Sequence, residues 1–249
     1  MSENDQREDN QEEAFWSWSN LRSMALLLAV IFAFRWSVAA PYHVPTPSME
    51  PTIKVGDRVL ANHLAYHFRI PFSDLVIASW EAPQRGDIVV FRSKQNPDMN
   101  LVKRVIGIPG DHIEIKGNAL YLNGESQSLE DFNNRRQVLD DITDEADAKL
   151  LFQEQLGKEF KHWILRDRLL YRQLGYDPLA SLGSLKVREG HIFVMGDNRD
   201  NSQDSRYFGE VPIRTVYGKA TRVLWSMYFP GQSWLPEFRF YRFGSSLYL

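Results

Sequence analysis

The sequence predicts a mainly β protein: an antiparallel β-barrel or sandwich body with an N-terminal transmembrane helix and a partly helical insertion. Three patterns carry this reading. Short apolar or alternating runs, parted by turn signals, fill residues 41–124 and return at 186–224. An apolar stretch covers 21–40. Between the two β blocks, from Asp147 to Leu174, apolar side chains recur at three- and four-residue steps.

In the first β block, strands are expected at 41–46, 57–62, 87–92, 101–106, 112–116 and 119–122. Pro83-Gln84-Arg85-Gly86, Pro109-Gly110-Asp111 and Asn123-Gly124 supply turns between them. Gly117-Asn118 sits between Ile113-Glu114-Ile115 and Leu120-Tyr121-Leu122 and signals a hairpin. His63 to Trp80 fits either a loop or an added hairpin. In the second block, His191 to Gly196 reads as a buried strand leading into a polar loop at 197–206, and Val211 to Val223 gives one or two more strands. Many short strands at this spacing point to a barrel or sandwich.

The remaining segments differ in kind. Residues 1–20 are polar and acidic and read as a disordered tail, with Trp16 and Trp18 at the level of an interface. Over 21–40 the apolar run is broken by Arg35, whose long side chain can reach the far interface. Ala39-Ala40 resembles a cleavage site, so a cleaved secretory signal stays open, although the acidic start argues against it. Arg7 and Arg22 before the stretch, and Arg35, Lys54 and Arg58 after it, give no orientation by charge. In residues 125–185, Leu156, Phe160, Trp163, Ile164, Leu170 and Leu174 form a helical pattern that Gly175, Pro178 and Gly183 stop, so two or three helices are expected. The end of the chain, within 186–249, is aromatic: Trp225, Tyr228, Phe229, Trp234, Phe238, Phe240, Tyr241 and Phe243. Core packing with a last strand over Phe238 to Phe243 is the favoured reading, and a surface touching lipid headgroups is the other.

Composition narrows the function. The 249 residues carry 29 Lys and Arg against 32 Asp and Glu, a net charge of −3, which makes no electrostatic case for nucleic acid. With no cysteine, disulfides, thiolate metal sites and a cysteine nucleophile are excluded.

Two stretches carry candidate chemistry. Lys103 lies in an apolar strand, on one face with Leu101 and Val105. If that face is inward, burial lowers the lysine pKa and the neutral amine can take a proton from a hydroxyl. A solvated lysine at a strand edge is the alternative, and this strand alone favours it. Ser48 lies in Val44-Pro45-Thr46-Pro47-Ser48-Met49-Glu50-Pro51-Thr52, where the prolines stiffen the backbone and can present a nucleophile. A proline-rich linker after an anchor reads equally well. The six histidines, His43, His63, His67, His112, His162 and His191, sit in no recognisable signature, and His63 with His67 lacks a third metal ligand. The loop at 197–206 lacks the ligand pattern of a calcium loop.

Taken together, four blocks resemble the bacterial type I signal peptidases, membrane-bound Ser/Lys proteases. They are Pro45-Thr46-Pro47-Ser48-Met49 with Pro51-Thr52 and Gly56-Asp57, then Arg85 to Phe91, then Lys103 to Asp111, and last Gly196-Asp197-Asn198-Arg199-Asp200-Asn201-Ser202-Gln203-Asp204-Ser205-Arg206-Tyr207-Phe208-Gly209. Residues 125–185 show no match. The resemblance implies Ser48 as nucleophile and Lys103 as base, with the Ser48 N–H and the Thr46 hydroxyl as oxyanion donors. Pro47 has no N–H to offer. It also implies that Ser202 hydrogen-bonds and orients the lysine, and that Arg104 with Asp197, and Asp204 with Arg206, form charged pairs. Tyr42, Val44, Met49, Leu101 and Val102 match positions of shallow pockets for a substrate lying against 41–46 and 100–103. The implied partners are preprotein signal peptides and the lipid bilayer. A monomer, no cofactor and no metal are expected. The implied location is the bacterial inner membrane, single-pass, with the tail in the cytoplasm and the catalytic body outside. A self-cleaving repressor would share the dyad, but residues 1–40 show no helix-turn-helix pattern. A non-catalytic tethered binding protein is the third reading.

Overall fold

In the computed structural model the two β blocks meet in one sheet. It describes residues 17–248 apart from 71, 72, 74, 118, 133–137, 140, 143–145, 159, 174–182 and 230–234. Most of the acidic tail, the stop residues Gly175 and Pro178, and Trp234 fall outside the described residues. Among the described residues the α-helices are α1 (Trp18–Ser37), α2 (Arg168–Gln173) and α3 (Ser205–Phe208). The strands in chain order are β1 (Ala39–His43), β2 (Asp57–Asn62), β3 (His67–Arg69), β4 (Val76–Ser79), β5 (Ile88–Arg92), β6 (Asn100–Gly107), β7 (His112–Lys116), β8 (Ala119–Leu122) and β9 (Glu125–Ser126). They continue as β10 (Leu129–Asp131), β11 (Lys149–Leu156), β12 (Phe160–Asp167), β13 (Leu185–Lys186), β14 (His191–Met195), β15 (Val211–Pro212), β16 (Val216–Tyr228) and β17 (Glu237–Phe238).

The main sheet runs β1-β2-β16-β5-β6-β14-β15, with β17 also on β16. Its strand pairs are antiparallel. The expected barrel does not close: β1 and β15 remain its ends among the described residues. Both ends carry a proline, Pro41 and Pro212, which withholds a ladder donor. Pairing along β1 ends at Val44, whose N–H reaches Asp57 O, because Pro45 has no N–H to continue it. Residues 63–80 hold a short 3-10 turn and the β3-β4 hairpin, the second of the two forms the sequence allowed.

Apolar faces of the sheet pack into separate clusters. Val89, Phe91, Val105, Ile192 and Val194 form one, with Leu101 against it. Met49, Ile53, Val59, Ile88 and Val223 form another, with Tyr42 and Val102 against it.

The helical reading of 125–185 is overturned. Asp147 to Gln173 is mainly the β11-β12 hairpin, with α2 as its one α-helix among the described residues, and Leu174 lies outside them. Both strands are buried on both faces over much of their length, so their apolar residues do not alternate. Gly157, at φ +67°, turns the chain between Leu156 and Phe160, which pair across the hairpin. Leu156 and Phe160 then join a core with Ile106, Ile113 and Phe193, so this segment is built into the body.

The aromatic end also departs from expectation. β17 is two residues long, and Phe240–Arg242 is a 3-10 turn. Here the arginines point inward. Arg239 Nη1 donates to Val55 O at 2.8 Å, and Arg242 Nη2 to Asp57 Oδ2 at 2.5 Å. With polar groups holding the inner face, Phe229, Phe238, Phe240, Tyr241 and Phe243 are left exposed. Leu247 returns to the core, and Tyr248 packs beside it.

α1 begins at Trp18, earlier than expected, and ends at Ser37, so Ala39 and Ala40 belong to β1. Leu26, Leu27, Leu28, Val30, Ile31 and Phe32 are exposed along it. No helix among the described residues is long and apolar enough to cross a membrane.

Candidate active site

Ser48 sits in a 3-10 turn, Pro47–Met49, on the connection from β1 to β2. Proline at the first position of the turn suits its fixed φ and missing N–H. Met49 anchors the turn, fully buried in the core. The N–H of Asn198 and its side-chain amide hold the backbone from the other side, donating to Ser48 O at 3.1 Å and Pro47 O at 3.2 Å.

Lys103 stands on β6 opposite Val89 of β5, with Leu101 and Val105 on its face. It is 3% exposed and Ser48 8%. Lys103 Nζ and Ser48 Oγ are 2.5 Å apart, one hydrogen bond. A charged amine donates along that line, whereas a neutral one can accept the hydroxyl proton. Burial pushes the Lys103 amine down from 10.5 to about 8; Asp204 and Asp197 oppose the fall and Arg206 adds to it. The hydroxyl of Thr46 lies 3.3 Å from Ser48 Oγ.

Ser202 comes close to this pair but makes a different contact from the expected one. Its hydroxyl donates to Asp204 Oδ2 at 2.8 Å, and among the described residues it has no hydrogen bond to Lys103. Gly196 separates Ser202 from the Ser48 turn: a Cβ there would lie 2.3 Å from Ser202 Oγ and 2.4 Å from Ser48 O. Asp204 is the hub of the loop after β14. It accepts from Gly196 N at 2.9 Å and from Arg206 Nε at 2.9 Å, and it caps α3 through Arg206 N at 3.2 Å. Burial alone would raise the Asp204 pKa, but Arg206 and these donors hold it below the usual carboxylate range.

Arg104, on the opposite face of β6, binds Asp197 in a fork: Nε to Oδ1 at 2.8 Å and Nη2 to Oδ2 at 2.7 Å. Nη1 donates to Gly86 O at 2.9 Å, and the Thr52 hydroxyl donates to Asp197 Oδ2 at 2.6 Å. This buried pair therefore ties the strand of Lys103, the β5 approach and the segment after Ser48 to the last loop. Replacing Arg104 by Leu leaves Asp197 buried without its cation, and a loss of about 3–5 kcal/mol in denaturant unfolding is expected.

Further contacts come from residues that sequence reasoning passed over. Arg199 pairs with Glu154 of β11, Nη1 to Oε1 at 2.7 Å, and donates to Gly196 O at 3.2 Å. His162 of β12 is buried against Glu154 and Asp197. Burial, then the nearby Arg104 and Arg199, hold it well below its ordinary pKa and therefore neutral. Arg166 Nη1 reaches Asp200 Oδ1 at 2.9 Å. Arg199 and Asp200 stood inside the last quoted block. Glu154, His162 and Arg166 lay in the segment misread as helix, where no signal marked them.

The expected pocket positions divide. Val44 and Met49 are core residues, whereas Tyr42, Leu101 and Val102 keep some exposure. β14 pairs with β6 from Arg104 onward, so Asn100 to Lys103 have β5 on one side and no strand on the other among the described residues. β1 is likewise a sheet edge. Two unpaired backbone edges therefore lie near Ser48.

A buried serine and lysine in contact, held by a loop locked with charged pairs, are equipment for acyl transfer by a serine hydrolase. A family profile described as "Signal peptidase, peptidase S26" matches residues 17–225. The chain is 36% identical over 228 residues to signal peptidase I of Pseudomonas aeruginosa, covering 87% of this chain and 75% of that one. It is 34% identical over 224 residues to signal peptidase I of Aquifex aeolicus, covering 81% of each. A crystal structure of a signal peptidase I from Enterococcus faecalis is 33% identical, covers 57% of this chain and all of its own, and superposes with a TM-score of 0.34. The chain belongs to the signal peptidase S26 family and is a serine endopeptidase.

Proposed function

We propose that this protein removes N-terminal signal peptides from exported preproteins, with Ser48 as nucleophile and Lys103 as general base. The observation that carries the reading is the 2.5 Å contact between the hydroxyl and a dry amine whose pKa has fallen to about 8. Ser48 Oγ attacks the scissile carbonyl carbon as its proton passes to Lys103 Nζ. The Ser48 N–H and the Thr46 hydroxyl donate to the oxyanion. The C–N bond then breaks, and Lys103 returns the proton to the leaving amine. A water, deprotonated by Lys103, attacks the acyl carbon, the acyl C–Oγ bond breaks, and Lys103 returns the proton to Ser48 Oγ. Ser202 acts through Asp204, ordering the loop beside the amine rather than bonding the amine itself.

The substrate adds as an extended strand between β1 and Asn100–Lys103, where both edges lack a partner strand. Tyr42, Leu101 and Val102 line shallow apolar pockets over a floor of Val44 and Met49, and small residues, alanine above all, are accepted at the first and third positions before the cut.

α1 holds the chain to the bacterial inner membrane in a single pass, tail inside and catalytic body outside. Its 20 residues extend about 30 Å, close to the hydrocarbon thickness. Arg22 and Arg35 lower its mean hydropathy, yet both lie near its ends and can reach headgroups. Apolar residues exposed in succession from Leu26 to Leu28 and Val30 to Phe32 cover the helix all round, as lipid contact requires. The exposed aromatic end is a second surface suited to headgroups.

The test is incubation of the detergent-solubilised full chain with a preprotein, followed by mass spectrometry of the new amino terminus. Cleavage after an Ala-X-Ala site is expected, and Phe at the last position should abolish it. An intact preprotein, or a cut indifferent to that residue, contradicts the reading.

A further inference from the structure

Asn198 stands in the last loop, directly after Asp197, and is wholly buried. Its N–H donates to Ser48 O at 3.1 Å, and its side-chain Nδ2 donates to Pro47 O at 3.2 Å. Those two carbonyls belong to the peptide planes on either side of the Ser48 α-carbon. The remaining polar atom of the amide, Oδ1, is buried and has no hydrogen-bond partner among the described residues. Turning the amide over does not repair this, because it sets a carbonyl oxygen against Pro47 O. Asn198 is itself seated by β12. Leu165 N donates to Asp197 O at 2.8 Å, and Arg199 N donates to Leu165 O at 3.0 Å, so both neighbours of Asn198 are pinned to that strand.

A buried acceptor left unbonded costs at least as much as one hydrogen bond at the other end of the amide returns. Stability therefore gives no reason for an amide here. Alanine would keep the backbone bond to Ser48 O and bury no orphan. What the amide supplies is a second donor to Pro47 O. That oxygen already accepts from Glu50 N at 3.0 Å within the 3-10 turn, so Asn198 takes its other lone pair. In a trans peptide the C=O and N–H point opposite ways in one rigid plane. The N–H that shares a plane with the Pro47 carbonyl is that of Ser48. Two bonds on the carbonyl fix the direction of that N–H, and the electron density they draw to oxygen makes it a stronger donor.

We propose that Asn198 is a positioning residue of the oxyanion hole, its side-chain amide aiming the Ser48 N–H at the developing negative charge. The proposal rests on the reading of Ser48 as nucleophile and of its N–H as an oxyanion donor. The test follows cleavage of a peptide by the full chain in detergent, with a peptide aldehyde as a second probe. Ser48 Oγ adds to the aldehyde carbon, its proton goes to Lys103 Nζ, and the carbonyl pair moves to oxygen, so the adduct needs the same donors as the transition state. Asn198→Ala should lower kcat by about 30-fold, short of the roughly 10²–10³ that outright loss of one oxyanion donor costs. KM and Tm should stay at wild-type values, and the rise of kcat/KM near pH 8 should not move. Affinity for the aldehyde should fall by the same factor as kcat/KM. Asn198→Asp, which sets an acceptor oxygen against Pro47 O, should lose more activity than the alanine variant. Asn198→Ala keeps the backbone bond to Ser48 O, so it carries the test if the aspartate variant does not fold. A wild-type kcat in Asn198→Ala overturns the proposal, as does a fall in kcat with aldehyde affinity intact. A loss of kcat matched by a lower Tm and a shifted pH profile marks a structural brace only, and overturns it too. Ser48→Ala, measured alongside, keeps the two readings apart. If it still cleaves, the nucleophile assignment fails; if it is inactive while Asn198→Ala is unaffected, the positioning role alone is lost.

Discussion

Replacing Lys103 by Met is expected to lower kcat/KM by at least about 10⁴-fold while leaving thermal stability unchanged or raised. A positioned base contributes roughly 10² to 10⁴, and a nucleophile and base that act as a unit lose still more when either is removed. Ser48→Ala should therefore cost about as much as Lys103→Met, and the double variant little more than either. Lys103→Arg should be equally inactive, because a guanidinium keeps its proton. The stability arm follows from linkage. The unfolded amine binds its proton up to about pH 10.4, while the buried one gives it up at about 8. The folded state thus carries a penalty that is full below pH 8 and vanishes above pH 10.4, amounting to about 3 kcal/mol if the whole difference is realised. Wild-type stability should climb with pH across that window, and the Met variant should lack that rise. Denaturant titrations of both proteins at pH 7 and pH 10 check this. Appreciable residual cleavage in the Met or Arg variant would contradict the assigned base.

Gly196→Ala should also be damaging, by about 10² in rate and through a different cause. A methyl there meets Ser202 Oγ at 2.3 Å on one side and the Ser48 carbonyl oxygen at 2.4 Å on the other. The serine side chain could swing away, but doing so breaks its bond to Asp204. The carbonyl is backbone, held by Asn198 N at 3.1 Å, so its movement carries the nucleophile turn with it. A displacement of about 1 Å can cost about 10² in rate, and overpacking of this kind about 1–3 kcal/mol in stability. Gly196→Ala should therefore lose kcat more than KM and show a lower Tm. Normal turnover in this variant would mean that the last loop does not set the position of Ser48.

Local context made the candidate nucleophile and base unusual, but on it alone a solvated lysine and a linker serine read as well or better, and the resemblance of the four blocks singled them out. A serine framed by Pro45, Pro47 and Pro51 cannot belong to a regular strand, and a lysine between Leu101 and Val105 breaks an apolar face. What could not be read was whether that face is dry, since it depends on Val89 and the cluster behind it, which only strand pairing brings together. The contact of Ser202 with Asp204 was likewise hidden, because the two lie two residues apart in a loop whose path the sequence does not give. The β11-β12 hairpin was misread because burial on both faces erases alternation, and the spacing left behind imitates a helix. With it went Glu154 and His162, whose partners Arg199 and Asp197 lie far along the chain. At the C-terminal end the error was one of direction, because Arg239 and Arg242 took the inward positions that the aromatics were expected to fill.

The most direct measurement exploits the absence of cysteine from the chain. Lys103→Cys introduces a single thiol, which 2-bromoethylamine converts in the unfolded protein to a lysine analogue with sulfur in its stem. Sulfur makes that amine less basic while keeping its reach. After refolding, kcat/KM for a peptide substrate is followed against pH. The wild type should rise through about pH 8 to a plateau, the unmodified Lys103→Cys protein should be inactive, and the thioether amine should restore activity with its rise moved to lower pH. Restored activity with a rise at the wild-type pH would show that another group titrates, and Lys103 would not be the base.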